Sequence, residues 1–267
     1  MKTLKAFWDE NKLRFISLIL GLGVWEIASR LSSSPIMPGP QRVLTTLVYA
    51  FRPEGIPNDP EQALGGALLS AFVPMFVAYV LSIITGVSLG ILMGISRKSE
   101  RLLDPFINAL YVAPISALVP VMIFWFGLGF TARVLIIYLF TVFVIIVNTM
   151  QGAKHTPSDY VELARSFGAS HPYIISHIVI PHAIPYIMVG LRLGIGRAVR
   201  GVVVSELVIS VTGIGIIVSN YSAFFRIDGI LAVAVAIMLV GMVLSGLVLW
   251  LENVIAPWKR RGTAFQE

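Results

Sequence analysis

The chain has 267 residues, of which 57% are hydrophobic and 13% charged, and its formal net charge is +6. A soluble domain carries about 25% charged residues, so this sequence has too few charges to coat a water-facing surface, and its mean hydropathy of +0.85 agrees. Cysteine is absent, which excludes disulfides, zinc–thiolate clusters and a thiol nucleophile, and no basic run reaches the length of a nucleic-acid patch.

Lys2, Lys5, Lys12 and Arg14 precede an apolar run, Phe15–Ala28, in the manner of a secretory signal. Ala28-Ser29-Arg30 is a poor cleavage site and further apolar runs follow, so Phe15–Leu31 reads as an uncleaved first membrane helix. A loop from Ser32 to about Gln62 holds six prolines (Pro35, Pro38, Pro40, Pro53, Pro57 and Pro60), with Val43–Phe51 able to form a short amphipathic helix. The second span is Leu64–Ile95, longer than a bilayer requires, so it tilts, kinks near Pro74 or projects into solvent. Gly86, Gly90 and Gly94 recur at four-residue spacing in it, the pattern of a face that lets another helix approach closely.

After the basic turn "SRKSERLLDP", the third span is expected at Pro105–Phe126, interrupted by Pro114 and Pro120. The fourth is Val134–Met150, the fifth Ile184–Ile209 and the sixth Ile230–Leu251; "SVTGIGIIVSNYSAFFRIDG" between the last two reads as a loop or re-entrant segment. Six spans put both termini on one side. That side collects twelve Lys and Arg (Lys2, Lys5, Lys12, Arg14, Arg97, Lys98, Arg101, Lys154, Arg165, Lys259, Arg260 and Arg261), against five on the other (Arg30, Arg42, Arg52, Arg133 and Arg226). The excess makes the termini cytoplasmic, together with the polar segment Gln151–Ile180. No repeat or linker divides the chain, which reads as one all-α membrane domain over 1–267, with its core at about 64–255 and a cytoplasmic segment at about 151–181.

Enzymatic patterns are missing. There is no G-x-x-x-x-G-K-[ST] phosphate loop, no H-E-x-x-H and no G-x-S-x-G. All four histidines fall between His155 and His182, but His171, His177 and His182 are six and five residues apart, not the three or four that share a helix face. No catalytic and no metal-ligating set is assigned.

The polar stretch "ELARSFGASHPYIISHIVIP", Glu162 to Pro181, reads as two short helices. Glu162–Phe167 is helix-forming and Gly168 ends it. Ser170 can cap a second helix, about His171–Val179, with Pro172 in its first turn, where a missing N–H costs nothing. Pro181 is expected to separate this helix from the fifth span. Tyr173, Ile174, Ile175 and Ile178 make it too apolar for an idle loop, and on the residues alone it either docks into a partner or lies on the membrane surface.

The same stretch resembles the "EAA" loop of ABC importer permeases, E-A-A-x-x-x-G-x9-I-x-L-P. Glu162, Leu163, Ala164, Gly168, Ile178, Ile180 and Pro181 stand at the matching positions, with Leu163 and Ile180 as mild departures. "IMPGPQRVLTTL", "GISRKSERLLDPFINALYVAPISALVPVMIFWFGLG" and "PYIMVGLRLGIGRAVRGVVVSEL" are similar to the nitrate/sulfonate/taurine-type subfamily. The resemblance implies the six-helix type I importer permease fold in the bacterial inner membrane, working as a dimer. It implies two cytoplasmic ATPase subunits, which carry the ATP and Mg, and an external solute-binding protein; this chain would bind no cofactor and no nucleic acid. The coupling set it implies is Glu162, Leu163, Ala164, Gly168, Pro172, Tyr173, Ile174, Ile175, Ile178 and Pro181. Nitrate, sulfonates, taurine, aromatic acids and vitamin precursors all occur as substrates in that subfamily.

Ionisable groups inside spans are functional candidates because each costs about 2.5–3.5 kcal/mol to insert. The fifth span holds Arg192, Arg197, Arg200 and Glu206. Arg192 lies near the cytoplasmic end and can snorkel. Arg200 departs from the usual apolar residue of the subfamily, and as a cation in a cavity it suits an anionic substrate; the competing expectation is that it pairs with an acid such as Asp104. Arg197, Arg200, Glu206, Pro114 and Asn148 are the expected pathway residues. A stand-alone secondary transporter or channel would need internal repeats and acid relays, and an intramembrane enzyme would need facing catalytic groups; neither pattern is present.

Overall fold

The computed structural model describes residues 2–32, 36–52, 64–209 and 213–255, with only the backbone course for 2–11 and 14. Pro35, Pro53, Pro57 and Pro60 of the proline-rich loop, and the basic tail Lys259, Arg260 and Arg261, lie outside the described residues. Every regular element among the described residues is helical: α1 (Lys2–Ser32), α2 (Pro40–Ala50), α3 (Leu64–Ile95), α4 (Arg97–Val112), α5 (Val119–Phe126), α6 (Phe130–Lys154), α7 (Ser158–Ser166), α8 (His171–Ile174), α9 (Ile180–Ile209), α10 (Ile214–Ala223) and α11 (Ile227–Ile255). Among the described residues five helical stretches are long and apolar enough to cross a membrane: Phe15–Ser32, Leu64–Ile95, Phe130–Lys154, His171–Ile209 and Ile227–Ile255. A sixth span is completed by α4 and α5 if that bent pair counts as one.

The expected third span is interrupted, as its prolines imply, but its first helix starts earlier, at Arg97, and the two helical parts meet at 91°. Ser96 starts α4 by accepting a hydrogen bond from the Ser99 N–H at 3.3 Å, and α4 runs through Pro105. It stops at Pro114, whose ring holds the preceding Ala113 at an extended ψ of 142°. A 3₁₀ turn, Ile115–Leu118, follows, and Pro120 then sits in the first turn of α5, where it removes no helical hydrogen bond. Of the stretch expected as a loop or re-entrant segment between the last two spans, Ile214–Ala223 is the short apolar helix α10.

Contacts group the residues into two compact units, Met1–Ala67 with Ile216–Ala236, and Leu68–Gly215 with Ile237–Glu267. In the first, α2 turns Val43, Thr46, Leu47 and Ala50 inward. Its Thr46 hydroxyl donates to buried Asp228 at 2.8 Å, and Arg226 donates to the same carboxylate at 3.1 Å. Asp228 lies in the first turn of α11, where a carboxylate is favoured by the helix dipole.

The second unit is organised by α6, which packs against α3 and α9 on two adjacent faces, with Ile145 meeting glycines of both. On one face the α3 glycines meet it: Gly86 faces Ile145, Gly90 faces Thr149 and Gly94 faces Ala153. A Cβ at Gly90 would stand 2.8 Å from the Ile146 carbonyl oxygen, so the backbones approach to a distance that admits only glycine. On the other face Gly190, Gly194 and Gly201 of α9 meet Asn148, Ile145 and Ile137. Met93, Val142, Phe143, Ile146 and Met150 form a further core, against which α4 lays Leu103, Ile107 and Tyr111.

Candidate functional site

The segment that holds the expected coupling residues is an elbow. Asp159 sits in the first turn of α7, and the helix ends on a Schellman motif. Gly168 takes φ +79°, its N–H donates to the Arg165 carbonyl at 2.9 Å, and the Ala169 N–H donates back to the Ala164 carbonyl at 3.0 Å. This closure requires a left-handed residue and explains Gly168. Ser170 precedes α8 in extended conformation, but its side chain makes no capping bond; its carbonyl accepts from the Ile174 N–H at 3.0 Å instead.

Pro181 does not separate the second short helix from the fifth span, contrary to expectation. A π-helical turn, Ile175–Val179, joins α8 to α9, with the Ile180 N–H reaching back five residues to the Ile175 carbonyl. The widened turn lets the chain pass a proline that cannot donate and would crowd the carbonyl four residues back. The result is one continuous helical rod, His171–Ile209, of 39 residues, roughly 58 Å at 1.5 Å per residue.

The elbow has an inside and an outside. Ile174 and Val179 are buried with Ala153 of α6, and Ile95, Val161, Ala164, Ala169 and Ile178 pack against them. Ile174 thus holds the segment to its own chain. Outside stand Tyr160, Leu163, Phe167 and Tyr173, with Phe167 83% exposed and Leu163 57%. Tyr160, Leu163, Ala164, Phe167, His177, Ile178 and His182 line an apolar groove of about 480 Å³. Glu162 is exposed and opens instead on a more polar cleft of about 530 Å³ that Arg97, Arg165 and His171 also line. Pro172 is exposed and Ile175 half-buried. His177 stacks on Tyr173 with ring centres 4.1 Å apart. Among the described residues no three His, Asp or Glu converge on a metal-sized site.

The ionisable groups of α9 go to four different environments. Arg192 pairs with Glu252 of α11 at 3.7 Å. Arg197 lies over the ring of Tyr111 of α4, 4.5 Å from its centre. Arg200 is exposed on a face it shares with Leu193, Gly196 and Leu207, and no ion pair to Asp104 or Glu206 forms. Glu206 is 1% exposed and pairs with Arg133 of α6 at 3.3 Å. Of the other expected pathway residues, Pro114 is exposed at the α4–α5 bend, and half-buried Asn148 donates to its own helix at Val144.

Residues 86–261, about two thirds of the chain and the whole of this elbow and rod, match the family described as "Binding-protein-dependent transport system inner membrane component". The chain belongs to that family. The permease is 30% identical to the taurine transport system permease TauC of Escherichia coli (strain K12) over 88% of this chain and 84% of that one. It is 28% identical to the formylaminopyrimidine transport permease ThiX of Halalkalibacterium halodurans over 94% and 96%. It is 28% identical to the nitrate import permease NrtB of Synechococcus elongatus over 96% of each chain. It is thus an ABC transporter permease, a multi-pass protein of the inner membrane with the all-α fold of that family.

Leu163, Ala164 and Ile178 of the expected coupling set line the groove of the permease's elbow and Tyr173 stands on its open face, together with Tyr160, Phe167, His177 and His182, which are outside that set. A signal was present: Tyr160, Leu163 and Phe167 recur at i, i+3 and i+7, the period of one helix face. Arg133, the partner of Glu206, was counted only as a topology charge because its pairing spans two helices far apart in sequence.

Proposed function

We propose that this chain is the membrane-spanning subunit of an ATP-driven importer for a small anion. Two cytoplasmic ATPase subunits seat on the elbow, a solute-binding protein delivers the solute on the opposite side, and a second copy of the chain completes the pathway. ATP and Mg reside on the ATPase. The observation that carries the reading is the continuity of α8 with α9: the elbow a partner would push and the helix bearing Arg200 are one rod.

Arg97, Lys154 and Arg165 line one cleft beside the α7–α8 elbow, and by sequence count its side carries the excess of Lys and Arg, which supports a cytoplasmic location for it and for both termini. Tyr160, Leu163, Phe167 and Tyr173 form an apolar face of the kind that fills a partner's groove, while Glu162 adds a charge beside it. Closure of the ATPases on ATP would tilt the rod and switch access to the pathway.

The relatives' names span taurine, nitrate and formylaminopyrimidine, so the names alone do not choose a solute class. Arg200 favours an anion. A cation in mid-span costs about 2.5–3.5 kcal/mol unless it meets water or a partner charge, and Arg200 lies on the open face of α9, twenty residues from its start. Two copies facing each other would set two guanidinium groups on a shared water-filled path. The test is ATP-dependent uptake of labelled nitrate, taurine and formylaminopyrimidine by vesicles holding the permease, its ATPase and its binding protein. Loss of anion uptake in Arg200→Ala with assembly intact supports the reading, and unchanged uptake overturns the anionic path.

A further inference from the structure

Glu206 is a buried carboxylate that the pathway reading leaves without a task. Its surroundings in the same compact unit are specific. Its Oε1 faces Arg133 Nη1 of α6 at 3.3 Å. Its Oε2 accepts from the Gly215 N–H at 3.4 Å. Gly215 is in the first turn of α10, where N–H groups have no partner within the helix, so a side chain of α9 caps the next helix. The turn before it is shaped to the carboxylate. Gly213 takes φ +70°, and a Cβ there would stand 2.9 Å from Glu206 Oε2 and 3.1 Å from Ser70 Oγ of α3. Residues from α3, α6 and α9 therefore close on the start of α10.

A lone carboxylate at this depth would cost several kcal/mol. The Arg133 guanidinium at 3.3 Å offsets part of that cost, and the second carboxyl oxygen accepts from the α10 N–H. Glu206 is also 35 residues beyond His171, at the opposite end of the α8–α9 rod from the elbow.

We propose that Glu206 is a positioning residue: with Arg133 it fastens the start of α10 to the end of the rod, so that displacement of the elbow is delivered to α10. α10 is ten residues long and apolar, too short to cross the membrane, which suits a movable element on the solute-entry side. The proposal rests on the transport reading for its ATP-driven readouts.

The test uses the complete transporter with a spin label at Ser219→Cys on α10, an exposed position in a chain without native cysteine. Glu206→Gln leaves the Arg133 charge buried and can impair folding. Arg133→Gln/Glu206→Gln removes both charges together and is the decisive variant. The double variant is expected to assemble with the ATPase and hydrolyse ATP, to lose the ATP-dependent change in the label spectrum, and to transport roughly ten-fold less. An unchanged label response, or uptake within two-fold of the parent by that same scale, overturns the proposal. Failure of the double variant to assemble overturns it too, since the pair would then serve folding alone. If the parent transporter itself shows no ATP-driven uptake, the transport reading has failed instead.

Discussion

Arg200 and Glu206 lie six residues apart on α9 and face about 120° apart around it, so the carboxylate goes inward to Arg133 at 3.3 Å while the guanidinium stays on the open face. The two charges of this span therefore meet different surroundings. One stays on the open face, and the other ties α9 to α6.

Arg200→Ala is expected to lower anion uptake at least about ten-fold, the scale of a lost charge-assisted hydrogen bond of 1.5–3 kcal/mol. Arg200→Lys is expected to retain part of it, since the charge stays but the planar fork is lost. Initial uptake rates in vesicles with matched ATPase content measure both.

Phe167→Ala, alone or with Leu163→Ala, is expected to weaken capture of the ATPase. Exposed aromatic anchors at interfaces are worth about 1–2 kcal/mol or more, which is roughly 5- to 30-fold in Kd. Titration of purified ATPase onto the immobilised permease reads the change. Lys98→Ala, an exposed residue of α4 outside the elbow, is the comparison, and it should bind within a factor of about two, the size of an ordinary surface change.

Gly168→Ala is expected to destabilise the elbow by about 1–2 kcal/mol, because the Schellman closure holds this position at φ +79°. The effect should appear as faster hydrogen exchange of the Ala169 amide, which donates to Ala164 in the native elbow. Global unfolding in detergent should move little.

Gly90→Val is expected to act on the core instead. The added side chain meets the Ile146 carbonyl and Thr149 across the α3–α6 contact, and overpacking of this kind costs about 1–3 kcal/mol. A lower Tm of the detergent-solubilised permease, with Gly196→Val as the open-position comparison, checks it.

Much of the architecture was legible because its signals are local. The second span is Leu64–Ile95 by hydropathy and in the structure alike, and the glycine spacing in it foretold a close helix contact. The broken third span was half visible: Pro114 and Pro120 marked an interruption, but whether prolines kink or bend a chain by 91° depends on what α6 offers for packing. At Pro181 the local rule failed, because a π turn, which has no clear sequence signature, absorbs the proline. The orientation of the elbow's isoleucines was also out of reach. Their partner Ala153 lies on another helix, and burial of Ile174 is a tertiary fact. Tyr160 and Phe167, by contrast, were readable from helical spacing alone.

The most direct test of the account is solute uptake by vesicles reconstituted with the permease and its binding protein, with and without the ATPase. The account predicts uptake only when the ATPase and ATP are present, and its loss when the elbow's Tyr160, Leu163 and Phe167 are replaced together by alanine. Equal uptake without the ATPase would contradict it.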